Sequence, residues 1–246
     1  MKHKTLAVLC AVVLTAGMMT GCGQKTEDTK TESGSEKTVS DEMAEKAGFS
    51  DGTGEEASDK EEASDAKDTK EAVLDTSKEL TGIHHAQINV KDYGEIQVEL
   101  DADTAPVTVT NFVKLAQEGF YDGLTFHRIM DGFMVQGGDP LGNGTGGSDE
   151  NIKGEFSNNG VENNISHTRG VISMARAMDD PDSASSQFFI VHEDSTFLDG
   201  DYAGFGHVTE GMDVVDAICK DAKPTDDNGT IKPEEQPVIE SITIVD

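Results

Sequence analysis

The residues best suited to chemistry lie in one stretch, Phe126-His127-Arg128-Ile129-Met130-Asp131-Gly132-Phe133-Met134-Val135-Gln136-Gly137-Gly138-Asp139. Asp131-Gly132 between two apolar-rich runs predicts a hairpin. Period-2 alternation then puts Phe126, Arg128 and Met130 on one face of the first strand. It puts Met134 and Gln136 on one face of the second, with Phe133 and Val135 opposite. A guanidinium and a carboxamide among Phe and Met side chains have two readings. Either both point to solvent, or the pair edges an apolar pocket. The second reading implies hydrogen bonds from a permanent cation with a rigid fork of donors.

Little else in the chain competes for a chemical role. Gly142-Asn143-Gly144-Thr145-Gly146-Gly147 matches G-x-G-x-x-G, but a dinucleotide site needs a strand before it and a helix after it. Positions 148–156 carry no helical apolar period, so the segment reads as a flexible or ligand-lining loop. His84, His85, His127, His167, His192 and His207 are scattered, with no paired ligand spacing, and no metal site is expected. Asp179-Asp180-Pro181-Asp182 reads as a solvated acidic loop. Ser185-Ser186 lack the glycine pattern of a nucleophile elbow. Cys219, beside Val215 and Ile218, reads as a small core residue. An enzyme built on these residues works without cofactor, metal or covalent intermediate.

A pocket of this kind needs a rigid sheet around it. Ala86, Ile88 and Val90 alternate with polar neighbours, Tyr93-Gly94 turns the chain, and Ile96, Val98 and Leu100 alternate again. That is an antiparallel hairpin. Asp103 or Thr104 is expected to cap a helix with Pro106 in its first turn and an apolar stripe of Val109, Phe112, Val113, Leu115 and Ala116. Further strands are expected over 124–130, 133–138, 170–174, 187–191, 204–208 and 237–245, and a second helix over 211–220. The helices do not alternate with the strands, which opposes a parallel fold. The expected class is mainly β: an eight-stranded antiparallel closed barrel capped by two α-helices.

Composition divides the 246 residues into three parts. Residues 1–22 form a targeting segment: Lys2 and Lys4, an apolar run from Leu6 to Met19 too short for a spanning helix, then Thr20-Gly21-Cys22. This resembles a bacterial lipoprotein signal, in which Cys22 is lipidated; the alternatives are an ordinary signal peptide cut nearby or an uncleaved anchor. Residues 23–80 hold 18 acidic and 8 basic residues and almost no aromatics. They read as a disordered spacer, with a transient helix in Lys70–Leu80. Residues 81–246 form one domain with 30 acidic and 9 basic residues, which opposes nucleic-acid binding. Cys10 leaves with the signal and Cys22 takes the lipid, so Cys219 has no partner for an intrachain disulfide. The expected location is outside the cytoplasm, lipid-anchored to the bacterial cell membrane.

Six motifs in order carry a family resemblance over roughly 84–245. They are Phe126-His127-Arg128-Ile129, Gly132 to Asp139, Asn143-Gly144-Thr145-Gly146-Gly147, Ile172-Ser173-Met174-Ala175, Ser186-Gln187-Phe188-Phe189-Ile190 and Leu198-Asp199-Gly200. Together they resemble the cyclophilin family of peptidyl-prolyl cis–trans isomerases. The resemblance implies rotation of X–Pro bonds in peptides and in exported proteins during folding. Arg128 would stabilise the twisted amide, Gln136 would orient it, and Phe133, Met134, Phe189 and Leu198 would form the proline pocket. Gly144, Ala175, Arg176, Ala177 and Gln187 would line the peptide groove. Phe197 and Tyr202 stand where the familiar eukaryotic pattern has tryptophan and histidine, and Arg176 replaces an asparagine. Loss of the indole N–H implies weak binding of cyclosporin-type ligands. The added charge of Arg176 is expected to favour acidic residues beside the proline. The domain is expected to act as a monomer. The alternative is a non-catalytic peptide-binding or adhesin module on the same scaffold.

Overall fold

A computed structural model describes residues 71–246. The targeting segment, Cys22 and positions 23–70 of the spacer lie outside the described residues. Within the described part, β1 (Ile83–Val90) and β2 (Gly94–Asp101) form the expected hairpin, with Ala86 opposite Val98 and Ile88 opposite Ile96. Then follow α1 (Pro106–Gln117), β3 (Phe126–Met130), β4 (Met134–Gly137), β5 (Val171–Met174), β6 (Phe188–Val191), β7 (Gly204–Glu210), α2 (Met212–Asp221) and β8 (Ile239–Ile244). Among the described residues no helix is long and apolar enough to cross a membrane.

The eight strands form one antiparallel sheet in the order β3-β4-β6-β5-β7-β2-β1-β8. It curls into a half-barrel rather than the fully closed barrel expected. The two edges meet only in a short seam at Thr125 and Val238, where Phe126 N–H donates to Pro237 O (2.9 Å) and Ile239 N–H to Leu124 O (2.8 Å). Further along, the outer edge of β3 is already taken. Ile129 N–H donates to Gly229 O (2.8 Å) and Ile231 N–H to His127 O (3.0 Å). The 229–231 segment thus covers an edge that would otherwise expose unpaired backbone.

Two apolar clusters share the central strands. Phe188 and Ile190 of β6 enter the main core, where Phe188 meets Phe112, Tyr121 and Phe126 at ring distances of 5.5, 5.6 and 6.1 Å. Phe189 and Val191 point the other way, into a smaller cluster with Met134, Val171 and Leu198. β6 is therefore buried on both faces, which is why its sequence is a continuous apolar run. The smaller cluster is the bed of the functional cleft.

Two local expectations change. No side chain at the residue before α1 caps that helix. Instead the buried Glu155 carboxylate accepts Val107 N–H (3.0 Å), Thr108 N–H (2.8 Å) and the Thr108 hydroxyl (2.6 Å). A carboxylate suits the positive end of the helix dipole. Residues 71–80 show no helix, only a turn at 76–77. They strap onto the domain: Ala72 N–H donates to Ile244 O (2.8 Å), Leu80 N–H to Thr110 Oγ1 (2.8 Å), and Leu74 and Leu80 pack on the core.

Candidate active site

The cleft is organised by the β3–β4 hairpin. Its register sets Arg128 opposite Gln136 and Met130 opposite Met134, so these four share the cleft face. Phe126 does not join them. The register shifts between Phe126 and Arg128, and Phe126 packs in the main core with Ile129. A bulge at His127 breaks the period that simple alternation assumes. Phe133 precedes β4, within the turn, and its carbonyl accepts His192 N–H (2.8 Å). It is therefore freed from strand alternation, and both Phe133 and Met134 reach one pocket.

Arg128 is half-buried and held by specific partners. Its Nε donates to Asn228 O (2.7 Å) and one terminal nitrogen to Gln136 Oε1 (3.1 Å). The guanidinium lies 5.8 Å from the Phe133 ring centroid. Its remaining donors face the thioether sulfurs of Met130 (3.2 Å) and Met134 (3.6 Å). Thioethers are weak acceptors, so a peptide oxygen or nitrogen competes easily for those N–H groups. Gln136 is itself fixed, because its Nε2 donates to Gln187 Oε1 (2.9 Å), and Gln187 Nε2 donates to Gly146 O (2.7 Å). A continuous relay runs from the glycine loop to the guanidinium. Burial lowers the Arg128 pKa, opposed by Tyr202 and Asp226. The group remains a cation, as arginine does throughout the physiological range.

A cleft of about 510 Å³ brings Arg128, Phe133, Met134, Gln136, Gly144, Ala175, Arg176, Phe189, Phe197, Leu198 and Tyr202 together. Ala177 and Gln187 line an adjoining cleft of about 240 Å³, which shares Gln136, Gly144, Ala175 and Arg176 with the first. All the expected site residues within the described chain thus converge. Phe197 is 71 % exposed and leans on Phe133 at 5.5 Å, as an open wall rather than a closed one. Arg176 lies between the Phe156 and Tyr202 rings at 5.1 and 4.9 Å. Its Nε donates to Asp201 O and one terminal nitrogen to Ala177 O and Met178 O, which leaves the other terminal nitrogen and the charge for a peptide.

Sequence reading missed His127, Asn143, Met178, Asn228 and Thr230, which also line the larger cleft. Asn228 and Thr230 sit on a loop with no strand or helix signal. Its turn is tied by Asp226, which accepts Asn228 N–H (3.0 Å) and Thr230 N–H (3.1 Å). The Asn228-Gly229 pair was the one available hint. His127 is buried, and neither ring nitrogen has a partner. Burial lowers its pKa; the Asp139 charge works against this and the Arg128 charge adds to it.

Buried polar groups hold the walls. Asp139, 1 % exposed, accepts Leu141 N–H (2.8 Å), Asn143 N–H (3.0 Å) and Gly144 N–H (2.6 Å). Burial alone would raise this carboxyl, but these amides, with that of Gly146, hold it below the usual value. The glycines of the G-x-G-x-x-G match thus wrap a carboxylate of the protein's own. Beneath Phe189 the buried His167 ring stacks at 6.1 Å. Its nitrogens meet Asp199 Oδ1 and Ser173 Oγ, both at 2.9 Å. Burial lowers its pKa against the pull of Asp199. Ser173 is fully buried, so this Ser-His-Asp line cannot touch a substrate.

Comparison with known proteins agrees with this geometry. A family model described as cyclophilin type peptidyl-prolyl cis-trans isomerase/CLD matches residues 85–244. Peptidyl-prolyl cis-trans isomerase B of Bacillus subtilis (strain 168) is 49% identical over 124 residues, covering 50% of this chain and 82% of that protein. A peptidyl-prolyl cis-trans isomerase of Helicobacter pylori (strain ATCC 700392 / 26695) is 48% identical over 127 residues, covering 51% and 74%. The crystal structure of a Cryptosporidium parvum cyclophilin type peptidyl-prolyl cis-trans isomerase superposes with a TM-score of 0.59 at 28% identity, covering 66% of this chain and 98% of that one. A structure of the same protein in the presence of the dipeptide ala-pro gives 0.57 at 29%, covering 65% and 98%.

Proposed function

The chain belongs to the cyclophilin-type peptidyl-prolyl cis–trans isomerase family, and we propose that Arg128 drives the bond rotation from the edge of the apolar cleft. An X–Pro bond turns over in tens to hundreds of seconds unaided. Reaching milliseconds needs a factor of about 10⁵, or about 7 kcal/mol off the barrier. No covalent bond has to change. Twisting the amide ends its resonance, which leaves the proline nitrogen pyramidal and basic. A donor aimed at the twisted form binds it better than either planar isomer, and that difference is the catalysis.

The observation that carries this reading is the way Arg128 is held. Asn228 O and Gln136 Oε1 orient it, while its remaining N–H groups face only thioethers. In the proposed complex the proline ring enters the cluster of Phe133, Met134, Phe189 and Leu198. The preceding peptide runs along Gly144, Ala175, Ala177 and Gln187. Met130 and Met134 then yield their hydrogen bonds to the amide.

The test is a coupled proline-isomerisation assay on wild type and Arg128→Ala. Loss of a well-placed donor is expected to cost about 10²–10³-fold in kcat/KM. Equal rates for the two proteins would remove the mechanism. The natural substrates in this reading are exported proteins, met at the outer face of a membrane to which lipidated Cys22 tethers the domain. The pattern of residues 1–22 and the acidic spacer support that location. Cys22→Ser is expected to move the protein from the membrane fraction to the soluble fraction.

A further inference from the structure

We infer that the structure holds a second site, for a borderline-soft divalent cation such as Zn²⁺, formed by Asp131, His192 and Cys219 behind the proline cleft. One ligand atom from each of these three lies within 4.8 Å of the other two. Zinc bonds of about 2.0–2.3 Å in a tetrahedron place neighbouring ligand atoms about 3.4–3.7 Å apart. Asp131 Oδ1 and His192 Nδ1 already stand 3.5 Å apart. The thiol lies within 4.8 Å of both, and the Asp131 side chain is 78% exposed and free to close in. The three residues sit far apart in sequence, which is why ligand spacing gave no sign of them.

The surroundings suit a metal in two further ways. His192 Nε2 meets Asp216 Oδ1 at 3.0 Å, and Gly132 N–H donates to Nδ1 at 3.0 Å. The ring is therefore the tautomer with its proton on Nε2 and its lone pair on Nδ1. A carboxylate on the far nitrogen is the usual outer partner of a metal-bound histidine. Secondly, the charge balance leaves room for a cation. Arg169 pairs with Asp216 (2.7 Å) and lies 4.0 Å from Glu193, and among the described ion pairs Asp131 meets only His192. Cys219 is 4% exposed and packs in the main core, and its thiol gives up its proton when it coordinates a cation.

Binding is then an exchange: the cation joins the sulfur, the Cys219 proton leaves to solvent, and a water fills the fourth position. The Gly132 N–H gives up its bond to Nδ1; Gly132, with φ +75°, lies in the exposed β3–β4 turn. Solvent reaches the site through exposed Asp131. The ion would tie the β3–β4 turn, the end of β6 and α2 together. That same turn carries Phe133, whose carbonyl accepts His192 N–H.

The test uses the full chain with Cys10→Ser and Cys22→Ser, which leaves Cys219 as the single thiol. Titration with Zn²⁺ is followed by calorimetry, and with Co²⁺ by absorbance. The expected result is one ion per chain, a thiolate-to-cobalt charge-transfer band, and a heat that varies with buffer ionisation because a proton is released. Asp131→Asn lies on an exposed turn and Cys219→Ser is nearly isosteric, so both are expected to fold. Cys219→Ser should abolish the band, and Asp131→Asn should weaken binding at least tenfold. Asp216→Asn should weaken it about 10–100-fold through the histidine. Absence of the band in the parent, or Zn²⁺ affinity unchanged in Asp131→Asn, overturns the site even if Cys219→Ser fails to fold.

Discussion

Asp139→Asn tests how the cleft is held together. One buried carboxylate gathers the amides of Leu141, Asn143, Gly144 and Gly146. Asparagine has the same shape, but one of its two ends is an N–H₂ group. Two of the backbone amides lose their acceptor and face a donor instead. Hydrogen bonds to a charged group contribute about 1.5–3 kcal/mol each, so two amount to about 3–6 kcal/mol. The loop is partly open to water and recovers some of this, which leaves an expected loss of about 3 kcal/mol. For a domain of this size that corresponds to a fall in Tm of about 6–12 °C. Urea unfolding should show a lower midpoint with an unchanged slope. Activity should also suffer, because Gly146 O holds Gln187, Gln187 holds Gln136, and Gln136 holds Arg128. A displacement of that relay by about 1 Å predicts a loss of 10–100-fold in kcat/KM, by analogy with other remote misplacements. The acid limb gives an independent check. The folded carboxyl lies below its unfolded value, so its contribution is complete above about pH 4 and is lost as pH falls through the folded value. Wild type and variant should therefore converge in acid. A stability change under about 1 kcal/mol with normal kcat/KM would refute the pinning role.

Near-neutral pH should matter through two histidines. Burial lowers both His127 and His167, so the unfolded chain takes up protons first as pH drops below about 6.5. Stability held above that pH is lost on the way down to the folded values; an unfolding midpoint that stays flat from pH 7 to 5 would contradict this. Phe197→Trp adds an indole N–H on the exposed wall, and one hydrogen bond predicts about tenfold tighter inhibition by a cyclosporin-type ligand. Nanomolar inhibition of the wild type would show that the missing donor is unimportant. Gly206→Ala would put a Cβ 2.1 Å from Glu99 O, where β7 crosses β2. The expected cost exceeds about 4 kcal/mol, read by urea unfolding or by loss of soluble protein; a folded variant of normal stability would disprove the close approach.

Strand positions and the two hairpins were readable in the sequence because they rest on local alternation and turn residues. Ala86, Ile88 and Val90 against Ile96, Val98 and Leu100 needed no knowledge of the rest of the chain. Closure was not readable. It depends on which distant segment takes the free edge of β3, and Gly229 and Ile231 take most of it, leaving Val238 the short seam. The cap of α1 failed for the same reason, since its carboxylate comes from Glu155, 48 residues beyond Val107. Within the cleft, the lining side chains were readable because the motifs name them one by one. Their supports were not: the partner of Arg128 Nε is a backbone carbonyl 100 residues away, which carries no residue-type signal at all.

The two departures from alternation at the hairpin show how much of the cleft's geometry hangs on breaks in regularity. Perfect alternation would put Phe126 beside Arg128 and would turn Phe133 away from Met134. The bulge at His127 sends Phe126 into the core, and the late start of β4 releases Phe133. Without the first, a phenyl ring would crowd the guanidinium; without the second, the pocket would lose a wall. A strand interior packs best when regular, so each break weakens the ladder locally. Such breaks persist where neighbouring segments hold them in place. Here the constraints are identifiable: the 229–231 segment clamps His127 from outside, and His192 N–H holds the Phe133 carbonyl. If the cation site at His192 fills as inferred, it reinforces the second clamp and leaves the first untouched. Zn²⁺ should then slow amide hydrogen exchange at Phe133 and His192 while leaving Ile129 and Ile231 unchanged. Uniform slowing across the sheet would mean that the ion stabilises the whole domain and has no particular hold on the hairpin tip.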